Sequence, residues 1–91
     1  MNITDIKIRH FYTDDKFKAL VSVTIDNEIA IHDIKIIKGE SRLFVAMPSR
    51  RDDKGGFRDV VHPIKKEARE LMENQILNAY KECLLEIQEK N

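Results

Sequence analysis

The first half of this chain alternates apolar and polar residues, and the last third repeats its apolar residues every three or four positions. Alternation is the period of a half-buried strand. Residues 3–12 show it through Ile6 and Ile8 on one side and Lys7 and Arg9 on the other. Residues 17–26 show it more cleanly, with Phe17, Ala19, Val21, Val23 and Ile25 sharing a face. Thr13-Asp14-Asp15 is a turn cluster between these two strands, and Asp26-Asn27 is a two-residue turn of types that tolerate positive φ. The third strand, 28–37, breaks its own parity: Ile29 and Ile31 fit one face, Ile34 and Ile36 the other. One extra residue near His32-Asp33, a β-bulge, would return both pairs to the core.

Residues 42–47 and 57–61 complete a set of five strands. Between them lies a polar segment, Ser49 to Gly56, which follows Pro48 and carries Arg50, Arg51 and Lys54. Proline has no N–H for a sheet ladder, so Pro48 ends the fourth strand. The segment predicts a hairpin with an eight-residue projecting loop, longer than the ~2–5 residues usual for hairpins. Gly55-Gly56 supplies its positive φ.

From Ile64 to Glu89 the residues Ile64, Ala68, Leu71, Met72, Ile76, Ala79, Tyr80, Cys83, Leu84 and Ile87 line one face of an amphipathic helix, with His62-Pro63 at its entrance. The fold class is therefore α+β: one domain over residues 1–91, an antiparallel sheet of five strands with a long C-terminal helix packed on one face. The other sheet face can stay wet, and the sheet edges offer a route to a dimer.

Composition narrows the function without naming it. The single cysteine, Cys83, excludes an intramolecular disulfide, and Met1 is followed by polar Asn2 rather than an apolar run, so a cytoplasmic protein with no membrane association is expected. Net charge is zero, but the charge is unevenly placed. Residues 50–69 hold seven basic and four acidic side chains, and residues 70–91 hold two basic and five acidic. A local field binds phosphates even when the total cancels.

Candidate chemistry is sparse. His10, His32 and His62 lack ligand spacing, and His32 and Asp33, adjacent on a strand, point to opposite faces. No nucleophile–base pair or phosphate-cradling loop can be assembled, so neither an enzyme, a cofactor, a metal nor a small-molecule substrate is expected. Cys83 reads as plain core. The candidates that remain are cationic. Arg50 and Arg51 carry donor forks suited to phosphate or guanine edges. Arg58 sits on the fifth strand, where it reaches the same surface or simply pairs with Asp59. Lys65, Lys66 and Arg69 oppose the helix dipole, which a bound phosphate would justify; the plain alternative is a solvated basic face with Lys66 paired to Glu70. Phe11, Tyr12, Phe17, Phe44, Phe57 and Tyr80 are assigned mainly to the core, which favours backbone contact over base stacking.

Phe44-Val45-Ala46-Met47-Pro48-Ser49, Arg50-Arg51, Phe57-Arg58-Asp59 and His62-Pro63-Ile64 together resemble the stage V sporulation protein G family of bacterial regulators, with weaker similarity at Thr4-Asp5 and His32-Asp33-Ile34. The resemblance implies a homodimeric regulator that binds DNA, and RNA as a further target, in sporulation and septation. It places Arg50 and Arg51 at the family's two basic positions after Pro-Ser. The chain departs from the family at Asp53-Lys54-Gly55-Gly56, where a cation is added to the usual Asp-Gly turn. Read from the residues alone, a protein-interaction module acting through a sheet edge or the long helix stays open beside nucleic-acid binding.

Overall fold

A computed structural model describes residues 1–89. Its elements, in order, are β1 (Ile3–Phe11), β2 (Phe17–Ile25), β3 (Ile29–Lys38), β4 (Leu43–Ala46), β5 (Ser49–Arg51), β6 (Phe57–Asp59) and α1 (Lys66–Glu89). The class is α+β. The first four strands form an antiparallel sheet in the order β1-β2-β3-β4, and β5 and β6 form a separate two-stranded sheet.

Each change of parity in the hydrophobic pattern is a bulge. Val21 pairs with Ile34 and Val23 with Ile31, so Ser22 faces both His32 and Asp33. This is the bulge that the third strand's pattern predicts, and Asp33 takes a φ of 63° to make it. Two further register shifts, at Thr4 and Arg9, let Ile3, Ile6, Ile8 and Phe11 all pack against one core despite their mixed parity. A fourth, at Lys18, has the opposite effect. It turns Phe17 away from Ala19 to the outer face, where it pairs with Ile37 and Lys35 lies 5.3 Å from its ring centroid.

The turns follow their residue types. Asp26 and Asn27 take φ of 53° and 56°, and Glu28 N–H donates to Ile25 O at 2.9 Å. The start of β1 is tied to this turn: Asp26 N–H donates to Asn2 O, and Asn27 N–H donates to Thr4 Oγ1. Asp14 Oδ1 accepts from Lys16 N–H at 2.8 Å in the first turn, a bond that holds the Asp14 carboxyl below its ordinary pKa.

The core lies on one sheet face. Ala19, Val21, Val23, Ile34, Ile36 and Met47 meet Met72, Ile76 and Tyr80, which stand four residues apart on α1. Tyr80 stacks on Phe11 at 5.8 Å between ring centroids, and burial pushes its phenol pKa up. An Arg42–Glu73 ion pair at 2.6 Å joins the turn before β4 to the helix. On the outer face Ser22 is buried. Its Oγ accepts from Arg9 Nε at 3.2 Å and lies 2.8 Å from His32 Nδ1, so this histidine is a structural partner.

Several expectations need correcting. Residues 57–61 do not pair with the fourth strand: Pro48 ends that ladder, and β6 pairs instead with Ser49–Arg51, residues expected in a loop. The helix begins at Lys66 rather than at Ile64, which lies outside it at 88% exposure. Of the six aromatic residues assigned mainly to the core, only Phe11 and Tyr80 pack there. Phe17 and Phe44 lie on the outer face, and Tyr12 and Phe57 are exposed.

Candidate nucleic-acid interface

The β5–β6 hairpin strands are polar except for Phe57 and stand apart from the main ladder. Its loop is three residues, Asp53, Lys54 and Gly55, closed by Asp52 N–H donating to Gly56 O at 2.9 Å and Gly55 N–H donating to Asp52 O at 3.2 Å. Gly55 has a φ of 84°, the positive value that such a loop needs at its last position. The Asp52 carboxylate organises the turn. Its Oδ1 accepts from the N–H groups of Lys54 and Gly56, both at 2.9 Å, and its Oδ2 lies 3.5 Å from Arg58 Nε. Asp52 is thus occupied by the loop and by Arg58. Among the described residues Arg50, Arg51 and Lys54 make no ion pair.

Register decides which side chains share a face. Arg50 pairs directly with Arg58, and Arg51 with Phe57. Cross-strand partners point to the same side, so one hairpin face carries two arginines opposite one another and the other carries Arg51 beside an exposed ring. Like charges directly opposite are destabilising by some tenths of a kcal/mol, and the Arg58–Asp52 pair relieves only one of the two. An anion between Arg50 and Arg58 would relieve both.

The structure thus gathers Arg50, Arg51, Lys54 and Arg58 on one projecting element. It places Lys66 and Arg69 in a second group at the start of α1, where they line a shallow recess with Arg42, Glu70, Glu73 and Asn74. Arg69 also donates to Pro63 O at 3.4 Å and Glu73 holds Arg42, while on the hairpin Asp52 holds Arg58 and Asp53 and Asp59 stand beside the arginines, so each group has one ion pair among the described residues. Lys65 is exposed at the position before the first helical residue, and its carbonyl accepts from Arg69 N–H at 3.0 Å. Sequence reasoning missed Arg42. It lies far from the helix in sequence, and only the fold of the β3–β4 turn brings it there.

Lys65 is a poor cap, since it offers no side-chain acceptor to the free N–H groups of the first turn. Lys65→Asp is expected to stabilise the domain by ~1 kcal/mol and to raise the thermal midpoint by roughly 4–8 °C, read by circular dichroism. If Lys65 contacts phosphate, the same variant will bind nucleic acid more weakly while being more stable.

The family model SpoVG matches residues 1–82 of this chain. The chain is 50% identical over 86 residues to "Putative septation protein SpoVG" of Clostridium botulinum (strain Alaska E43 / Type E3), covering 94% of each protein. It is 46% identical over 86 residues to the protein of the same name from Clostridioides difficile (strain 630), again covering 94% of each. With that of Agathobacter rectalis it shares 53% identity over 81 residues, 89% of this chain and 93% of the relative.

Proposed function

This chain belongs to the SpoVG family, and from that premise we propose that it acts as a dimeric nucleic-acid-binding regulator of septation and sporulation, with DNA and RNA as ligands. The observation that carries the reading is the Arg50–Arg58 cross-strand pair, set on an exposed hairpin with Arg51 and Lys54 beside it. Such a pair opposes hairpin formation and favours an oxyanion. Sequence-independent phosphate contact is the simplest use of such a tip, with guanine edges as a second target for the arginine forks.

Dimerisation has separate support. β4 covers only Lys35 to Lys38 of β3, which leaves the edge of β3 from Ile29 to Ile34 without a strand beside it among the described residues. A groove of about 620 Å³ runs along that edge, lined in part by Ile29, Ile31, Pro48, Val60 and Val61. Open edges and exposed apolar residues are what a second copy would cover. The same groove is the footing of the other reading, a protein-interaction module without nucleic acid.

Salt separates the two. If a dimer neutralises about four phosphates per protomer, the slope of log K against log[salt] for duplex DNA is expected near −7. This is measured by fluorescence anisotropy with a labelled duplex at several salt concentrations, alongside light scattering for the mass. A partner held through the apolar groove would survive the salt that strips nucleic acid. No binding at low salt to the duplex or to a labelled single strand would end the nucleic-acid reading.

A further inference from the structure

Phe57 is the least expected side chain on the surface. It is 72% exposed, on a hairpin whose other side chains are polar, and it is absent from the lining of the apolar groove beside β3. Arg51, its direct cross-strand partner, places its guanidinium carbon over the ring, 5.9 Å from the centroid and within cation–π reach. The opposite face of the same two strands carries Arg50 and Arg58.

We infer that Phe57, with Arg51, is a stacking platform for an unpaired nucleobase, and that the hairpin therefore engages single-stranded nucleic acid in preference to duplex. The inference rests on the nucleic-acid reading above and specifies its ligand. The chemistry is two-sided. A polynucleotide presents anionic phosphates and uncharged π-faces, and this hairpin presents a double arginine on one side and an aromatic–guanidinium pair on the other. Bases within a duplex stack on their neighbours and offer no free face, so a surface ring gains from a base only where that base is unpaired. Stacking is tolerant of base identity, so the platform contributes affinity for single strands without a sequence code.

The test uses the full chain with a labelled oligothymidylate and a duplex of matched length, at one salt concentration. Phe57→Ala is expected to weaken oligothymidylate binding about tenfold, to change duplex binding by less than about twofold, and to leave the single-strand salt slope unaltered. Phe57→Leu keeps apolar bulk without a π-face and is expected to behave like the alanine variant. Phe57→Trp retains binding. Because the chain has no other tryptophan, its fluorescence reports on this position alone, and oligothymidylate is expected to quench it.

Wild-type binding that Phe57→Ala leaves unchanged for both ligands would overturn the inference while sparing the nucleic-acid reading. Equal loss on both ligands would overturn it too, by assigning the ring to a wedge between paired bases. Loss of the dimer in Phe57→Ala, seen by light scattering, would assign the ring to a contact between copies. Failure of the wild type to bind either ligand would remove the reading on which the inference stands.

Discussion

Ile76→Ala is expected to destabilise the domain by about 2–5 kcal/mol. Ile76 is fully buried between Met72 and Tyr80, at the centre of the one helical stripe that covers the sheet. Shortening it removes apolar area from the core and leaves a cavity that a helix pinned on both sides closes poorly. A domain of this size is stable by only about 5–14 kcal/mol, so the variant would sit close to its unfolding midpoint. Urea unfolding followed at 222 nm reads the shift, with an unchanged slope as the sign that stability alone has moved. Leu85, on the same helix but 58% exposed, provides the contrast: Leu85→Ala is expected within about ±0.5 kcal/mol of wild type. A loss at Leu85 comparable to that at Ile76 would show that the far end of the helix is covered by a second copy.

The double variant Arg50→Ala/Arg51→Ala is expected to weaken nucleic-acid binding by at least about a hundredfold near physiological salt. Hydrogen bonds to charged groups contribute roughly 1.5–3 kcal/mol each, and a dimer would lose four arginines. The salt slope is expected to fall in magnitude by about 3–4, close to one per cation removed. The fold should not suffer. Both side chains are exposed and make no ion pair among the described residues, and removing Arg50 ends its repulsion with Arg58. Stability within about ±0.5 kcal/mol of wild type, together with a large loss of affinity, is the combination that separates a binding role from a structural one. Unchanged affinity in an anisotropy titration would remove both residues from the interface.

The main sheet was legible because alternation and its interruptions carry physical meaning. Ile31, Ile34 and Ile36 meet one core only if a residue is inserted between Ile31 and Ile34, and the structure does so at His32-Asp33; Ile29, expected in the core with them, stays 60% exposed at the open end of the strand. The same logic applies to Ile3, Ile6, Ile8 and Phe11, whose parity changes twice in β1. That signal was available but is weaker, since polar residues at the breaks are also what an exposed face would show. Two of the weaker matches to the family, Thr4 and His32-Asp33, have a structural explanation. Thr4 sits at one bulge, where its hydroxyl accepts from Asn27 N–H, and His32-Asp33 form another.

The hairpin is not legible in the sequence, for a definite reason. Ser49-Arg50-Arg51 has no apolar residue, so periodicity gives it no strand signal. Pairing alone defines it, through the Asp52 turn, which depends on a carboxylate meeting backbone N–H groups four residues or fewer away. Side-chain type alone assigns Phe57 to the core, because exposed phenylalanine is uncommon and a sequence does not show the partner across the ladder. The helix boundary shifted because Ile64 matches the apolar period, yet it lies just after Pro63 and outside the helical hydrogen bonds.

The detachment of the two-stranded arm from the four-stranded body has a thermodynamic corollary. An isolated hairpin is marginally stable in water, and this one shares no ladder with the body and buries no side chain fully. Its opening and closing are therefore governed by a local equilibrium, distinct from the global one that Ile76 controls. A ligand that holds the arm closed must supply its ordering free energy from its own affinity, so tight binding and a rigid body are separately adjustable by substitution.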